Sequence, residues 1–577
     1  MDTETLKKRI EVARGARKAD LVIKNCRIID VFTPRIYEGE IAIADGVIAG
    51  VSGPYEGEEE IDAGGAYACP ALIDSHIHVE SSYVTPEELG RLLVPHGTST
   101  ILADPHEIVN VEGIKGLDYM LSAAKRTALD IRYLLPSCVP STPFEHAGCT
   151  LDAAMMEEPL YRKEILGLAE FMNYPGVVNC DPEVLKKLTL AMNEDKLIDG
   201  HAPGLSGNDL MAYAAAEIHG DHECGTVEEM QEKLSLGMYI LLREGSACHN
   251  LRTLLKGVTK DNARRCLLCS DDLQTKTIFE EGHIDKDLRI CVQEGLDPLT
   301  AIRMATLNAA ECFHLEHQGA IAPGYRADIV LFEDLRDFHA KSVFLKGVLT
   351  AEDGKYLPKV TREDITPMTG SIHLKDFSKE KLKMHLPSGH VKAIEILPGG
   401  VVTGSKVVDV DLDSEGEFVF DPKKDVCKIA VVERHQGTGN VACAFLAGYG
   451  IQKGAVAVSI AHDSHNIICA GVSDDEIAFA VREIEKIGGG MAVVEGGKVL
   501  AEMALPVGGI MSDQSGETVR DELARIHDIT WENLSIHKEV EPVMTLTFMS
   551  LAVIPSLKLT DEGLFDVDSF QFTSILA

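Results

Sequence analysis

The sequence predicts an α/β protein: a (β/α)8 barrel, a β-sandwich domain formed by the segments that flank it, and a C-terminal α+β domain. Three observations carry this reading. Between residues 70 and 313 eight short apolar runs alternate with helix-length stretches, the pattern of βα units around a parallel sheet. β-Branched runs broken by turn signals precede that stretch and return after Gly319, so one small sheet is completed from both sides of an inserted unit. Past Tyr356 the composition shifts to Lys, Asp, Pro and Thr (GKYLPKVTREDITPMTGS), a boundary signal. The expected divisions are 1–69 and 316–360 for the small β domain, 70–315 for the barrel and 361–577 for the last domain.

In the first segment LVIKNCRIIDVFT and EIAIADGVIAGVSG read as strands, with Asp45-Gly46 as a hairpin turn. The eight barrel strands are expected at 71–80, 98–107, 130–139, 165–172, 196–203, 216–223, 239–246 and 265–272. Their span matches the usual barrel size of about 250 residues, in which the active site lies at the C-terminal strand ends. The runs AIAPGYRADIVLFEDL and AKSVFLKGVLTAEDGKYL return to the small sheet. The last domain offers strands in HVKAIEILPGGVVT, VCKIAVVERH and GAVAVSIAHD, a helix in DDEIAFAVREIEKIGGG, and strands in MAVVEGGKVLAEMAL.

Composition narrows the partners. With 577 residues, 45% hydrophobic and 25% charged, the chain is an ordinary globular one, not a disordered or collagen-like one. Its net charge of −36 repels phosphate backbones and anionic lipids, so neither nucleic acid nor a membrane surface is expected. No apolar run reaches the ~18 residues of a spanning helix. The opening segment reads as a charged amphipathic helix rather than a signal or transit peptide. Fourteen cysteines scattered from Cys26 to Cys469 suggest reduced thiols and a cytoplasmic protein. Cys266 and Cys269 form a C-x-x-C without a second pair, and alternate strand positions explain them better than a metal site.

The residues that carry chemistry fall late in the predicted strands. His76 and His78 end the first, Glu170 the fourth, His201 the fifth, His222 the sixth, and Asp271 with Asp272 the eighth. A single histidine at a strand end is more often a satisfied or surface imidazole than a ligand. Six metal-type side chains converging on one barrel mouth are a different matter. A His-x-His on a strand puts both imidazoles on one face, where they reach one ion. One divalent metal is expected on His76, His78 and Asp271 and a second on His201 and His222, with Glu170 spanning both. Imidazole and carboxylate donors suit Mn²⁺, Fe²⁺ or Zn²⁺. His219 competes with His222, which is preferred because it lies later in its strand.

These segments resemble a known family. PALIDSHIHVESS, the eight-strand spacing and the β-rich flanks are similar to the amidohydrolase superfamily of metal-dependent hydrolases. DSHIHVESS, LADPHEIVNVEG, LAEFMNYPGV, DGHAPGLSG, DHE and LCSDD together resemble bacterial and archaeal adenine deaminases, and the likeness continues into SIAHDSHNI. The resemblance implies adenine aminohydrolase activity, yielding hypoxanthine and ammonia for purine salvage, at a centre of two divalent metals with Mn²⁺ or Fe²⁺ as the usual ions. A metal pair lowers the pKa of water so that hydroxide is available to attack C6 of adenine.

In this reading Asp271 is the proton shuttle, and Asp272 faces the purine by analogy with other purine deaminases. His106 and Glu107 recognise the purine edge or protonate N1, and Glu80 and Ser81 line the pocket or orient ligands. A homo-oligomer, dimer or larger, is expected. The alternative is a cyclic amidohydrolase such as a dihydroorotase or hydantoinase, disfavoured because the fourth strand offers Glu170 and no lysine for carboxylation. A non-catalytic scaffold predicts lost ligands, and all six are present. His462, Asp463 and His465 have metal-like spacing in the last domain, and three readings stay open for them, closing over the barrel mouth, binding another ion or simply capping a turn, of which the turn is favoured over a direct functional role.

Overall fold

The computed structural model describes residues 1–398 and 401–577; Gly399 and Gly400, inside the expected run 390–403, lie outside the described residues. Each expected barrel run contains a strand: β1 (Leu72–Ile77), β2 (Thr98–Ala103), β3 (Asp130–Leu135), β4 (Ile165–Phe171), β5 (Leu197–Gly200), β6 (Gly220–Asp221), β7 (Tyr239–Arg243) and β8 (Cys266–Cys269). β1 to β5 form one parallel sheet and β6 to β8 another. Hydrogen bonds join the two at both seams. Asp271 N donates to His76 O at 2.9 Å beside β1, and His219 N donates to Ile198 O at 3.0 Å between β5 and β6.

The strands are nearly continuous buried runs, as parallel strands covered on both faces must be. Ile73, Leu102, Leu134, Ala169, Leu241 and Leu267 meet in one apolar cluster with Phe313 and Leu315. Side chains from opposite sides of the ring touch only if they fill its interior, so the barrel is a packed core open to chemistry at its rim.

The small β unit is a nine-stranded sheet drawn from both sides of the barrel. Ala19–Asp30 pairs with Arg35–Ala44, with Gly57–Asp62 near its start and with Tyr67–Pro70 near its end. Ile329–Phe332 then pairs antiparallel with Tyr67–Pro70, which brings in Ala340–Leu345 and Val348–Glu352. Asp45 and Gly46 both take positive φ, 52° and 73°, the conformation a two-residue hairpin turn requires.

After it comes an eight-stranded mixed sheet spanning residues 390–504. The helix Asp474–Ile487 packs on it, started by the Ser473 side chain on Glu476 N and ended by left-handed Gly488. This unit covers the barrel mouth. Ser512 N donates to Tyr83 O at 2.8 Å, Asn466 Nδ2 to His146 O at 2.8 Å and Gln436 Nε2 to Ala147 O at 2.9 Å. No helix among the described residues is long and apolar enough to cross a membrane.

Candidate active site

The C-terminal ends of β1, β4, β5, β6 and β8 bring six side chains into one buried cluster. His76 Nε2 and His78 Nε2 lie 3.2 Å apart, and Asp271 Oδ1 is 3.2 Å from His78 Nε2. Glu170 sits between two pairs of imidazoles. Its Oε1 is 3.3 Å from His78 Nε2, while its Oε2 is 2.7 Å from His201 Nδ1 and 3.2 Å from His222 Nε2. The far nitrogen of His78 is anchored, with Nδ1 3.1 Å from Asp104 O, and His76 Nδ1 faces Asp199 Oδ2 at 3.7 Å. Such outer contacts fix ring orientation at metal sites.

These residues fit divalent cations. Ring nitrogens and carboxylate oxygens converge within 4.8 Å of one another in two triads, His76, His78, Asp271 and Glu170, His201, His222. A cation satisfies such a donor set, and its lack of thiolate suits Mn²⁺, Fe²⁺ or Zn²⁺.

Asp271 is held from behind. Its backbone lies in the left-handed region at φ 59°, unusual for a residue with a side chain, and the buried Arg243 guanidinium bonds both its carboxylate and that of Glu223. Burial opposes ionisation of Asp271, but Arg243 and His78 outweigh it and keep the carboxyl well below the usual carboxylate range.

A second group of side chains rims the same space. Ser81 Oγ donates to Asp272 Oδ1 at 2.5 Å and lies 3.3 Å from Glu107 Oε1. Burial pushes the Glu107 carboxyl well above its ordinary range, His78 pulls against it, and Asp272 and Glu80 add to the rise. Glu80, capping Ile108 N at 3.1 Å, is pushed up to about 7, chiefly by burial. His106 Nδ1 bridges Asp104 Oδ2 at 3.1 Å and Glu170 Oε1 at 3.4 Å. Above them Val401, Phe548, Leu551, Val553 and Ile554 of the last unit close an apolar roof over the cluster.

Comparison with known proteins agrees with this geometry. Residues 67–350 match the model of the amidohydrolase family, and residues 400–571 that of the adenine deaminase C-terminal domain. A protein of Desulfotalea psychrophila named adenine deaminase 2 is 58% identical over 577 residues, covering 100% of both chains. The chain belongs to the adenine deaminase family. An adenine deaminase of Ligilactobacillus salivarius is 50% identical over 100% of this chain and 99% of its own. A crystal structure of enamidase, an amidohydrolase superfamily member, aligns at 18% identity and a TM-score of 0.45 over 59% of this chain and 98% of that one. Amidohydrolase membership implies divalent-metal use, in keeping with the donor triads.

In this member of the adenine deaminase family the residues singled out from sequence lie mostly just past the strands rather than on them. β1 stops at Ile77, one residue short of His78, and β2 at Ala103, so His106 and Glu107 open the helix His106–Glu112 instead of ending a strand. Glu80 and Ser81 form a 3-10 turn, Glu80–Ser82. His219 points away from the cluster, with Nδ1 2.5 Å from Ile198 O and its ring against Tyr239 and Phe313 at the other end of the barrel. Cys266 and Cys269 are buried within β8, and burial pushes the Cys266 thiol up to about 12.

Sequence reasoning missed Arg243, Asp199 and the whole roof. A buried arginine closing the run YILLR was a usable signal, because charge at the C-terminal end of a barrel strand is rarely structural. The roof residues have no such signature; they are ordinary apolar positions that the tertiary fold brings over the barrel.

Proposed function

We propose that this chain hydrolyses adenine to hypoxanthine and ammonia at a two-metal centre, with His76, His78 and Asp271 holding one divalent ion, His201 and His222 the other, and Glu170 both. The observation that carries the reading is the Glu170 carboxylate divided between two imidazole pairs beneath a small apolar-roofed cavity. When bound, the ions acidify the water that attacks C6, an electron-poor ring carbon.

The protein's own groups do the rest. Asp271, kept ionised by Arg243, receives the proton the water releases and passes it to the 6-amino nitrogen, which departs as ammonia. Attack pushes charge onto N1, and Glu107, whose burial favours its protonated form, is placed to donate a hydrogen bond to that edge with His106 beside it. Asp272, oriented by Ser81, meets a ring nitrogen, and Glu80 holds the Glu107 loop through Ile108 N. The roof stacks on the purine face and excludes water. Release of ammonia from adenine, with no ring opening of dihydroorotate or hydantoin, by protein loaded separately with Mn²⁺, Fe²⁺ and Zn²⁺ tests the reading and orders the metals. Ring opening without ammonia release replaces it with cyclic amidase activity.

A further inference from the structure

The last unit does more than cover the site. Its turn after the strand Ala455–Val458 carries His462 and Asp463 into the cavity, opposite the donor cluster. The turn is held from several directions. His465 N donates to Ala461 O at 2.7 Å, Arg434 Nε to His465 O at 2.5 Å, and His435 Nε2 lies 2.7 Å from Ser464 O. Asn466 Oδ1 accepts from Arg434 N while its Nδ2 reaches across to His146 O of the barrel. The His462 ring stacks on Phe548 at 4.7 Å with its Nδ1 3.5 Å from Glu107 Oε1. Anchoring of this density fixes a side chain to the tolerance a binding site needs.

Of the groups this turn leaves without a hydrogen-bond partner, the Nδ1 and Nε2 of His465 and the Oδ2 of Asp463, the carboxylate belongs to a residue that lines the cavity. Asp463 is 3% exposed, its Oδ1 is 3.8 Å from His106 Nε2, and its Oδ2 has no hydrogen-bond partner among the described residues. A buried carboxylate oxygen without a donor is costly unless a ligand supplies one. The position identifies the donor. His106 Nδ1 is 3.4 Å from Glu170 Oε1, so Asp463 stands one imidazole ring away from the carboxylate that spans the two triads. With C6 at that cluster, the parts of adenine within reach are N1, the 6-amino group and N7. Of the three, the amino group is the donor of the usual neutral tautomer.

We infer that Asp463 is a substrate-binding residue supplied by the C-terminal domain, accepting an N–H of the 6-amino group of adenine, so that the purine site is shared between two domains. This rests on the deaminase reading above. Accepting that N–H also raises electron density on the amino nitrogen, which favours its protonation before it leaves.

The test compares adenine with 6-methoxypurine, which loses methanol and has no N–H at that position. In Asp463→Asn holoenzyme the ratio of kcat/KM for adenine to that for 6-methoxypurine falls about 10- to 100-fold, the scale of a charge-assisted hydrogen bond. Bound metal per subunit stays at the wild-type level. An unchanged ratio, or equal loss on both substrates, overturns the inference. Wild-type enzyme gives an answer that needs no variant: 1-deazaadenine should inhibit at least about 10-fold more tightly than 1-deazapurine, the same bicycle without the amine. Equal inhibition constants overturn the inference. Failure of the wild-type holoenzyme to release ammonia from adenine overturns the deaminase reading instead.

Discussion

Glu170 approaches His201 through one oxygen only, Oε2 at 2.7 Å from Nδ1, which leaves Oε1 to the His78 side. One carboxylate therefore serves two imidazole pairs, and its charge is what both share. Glu170→Gln keeps the shape and removes that charge. Metal affinity is expected to fall by more than the about 10- to 100-fold that outer partners contribute, with turnover lost in parallel. Elemental analysis beside the ammonia assay checks this, and full metal content with full activity contradicts it.

His78→Ala and Asp271→Ala should each lower turnover by at least about 10³-fold, because each removes a first contact of the reaction rather than a packing group. Circular dichroism should show the wild-type fold, since the barrel's packed interior, Leu102, Leu241, Leu267 and their neighbours, is untouched. Wild-type rates in either variant would refute the assignment.

Asp272 touches Ser81 rather than the donor triads. Asp272→Asn should therefore depress kcat/KM for adenine by about 10²-fold or more, as loss of a well-placed polar contact does, while bound metal is unchanged. Parallel loss of metal would make it a ligand.

Arg243 neutralises Asp271 and Glu223; the arginine and Asp271 are buried and Glu223 is largely covered. Arg243→Met leaves two carboxylates without their cation, and breaking a buried pair in this way costs about 3–5 kcal/mol. A lowered Tm is expected, larger in chelator-treated protein than in metal-loaded protein, because a bound cation offsets part of the stranded charge. An equal shift in both forms argues that Arg243 acts on the fold alone.

Lys558 lies buried in the roof unit, donating to Val401 O at 2.7 Å and Phe548 O at 2.9 Å. Burial pulls its ammonium down to about 7 from the ordinary 10.5. Between those values the unfolded chain binds more protons than the folded one. The stability this residue contributes is therefore greatest above pH 10.5 and is lost as pH falls towards 7. Wild type should gain stability relative to Lys558→Met as pH rises from 7 to 9, by up to about 3 kcal/mol at about 1.4 kcal/mol per pH unit. Paired thermal melts across that range read the difference, and a flat difference rules it out.

The barrel was legible because its strands carry their signal locally: each apolar run is short, bounded and followed by a helix-length stretch. The clustering of His76, His78, Glu170, His201, His222 and Asp271 was legible for a related reason, since strand ends converge by topology and the residue types are rare there. What local pattern does not carry is the approach of distant surfaces. Phe548 and Ile554 read as ordinary core, and nothing near them in the chain marks the barrel mouth as the surface they meet. Asp463 was visible as part of a metal-like spacing, yet its use depends on Arg434 and Asn466 pinning the turn from two sides. Strand ends were overestimated by a few residues because His106 and Glu107 continue a strand-like pattern but begin a helix.

The pairing of Tyr67–Pro70 with Ile329–Phe332 has a consequence for biosynthesis. The early strands leave the ribosome long before their last partners, and the entire barrel is translated in between. Until then one edge of the young sheet, including Cys69 and Ala68, stays open to other chains. Completion of that edge is thus a late event of synthesis, and truncation anywhere before residue 332 should release a species prone to aggregate rather than a smaller soluble fragment.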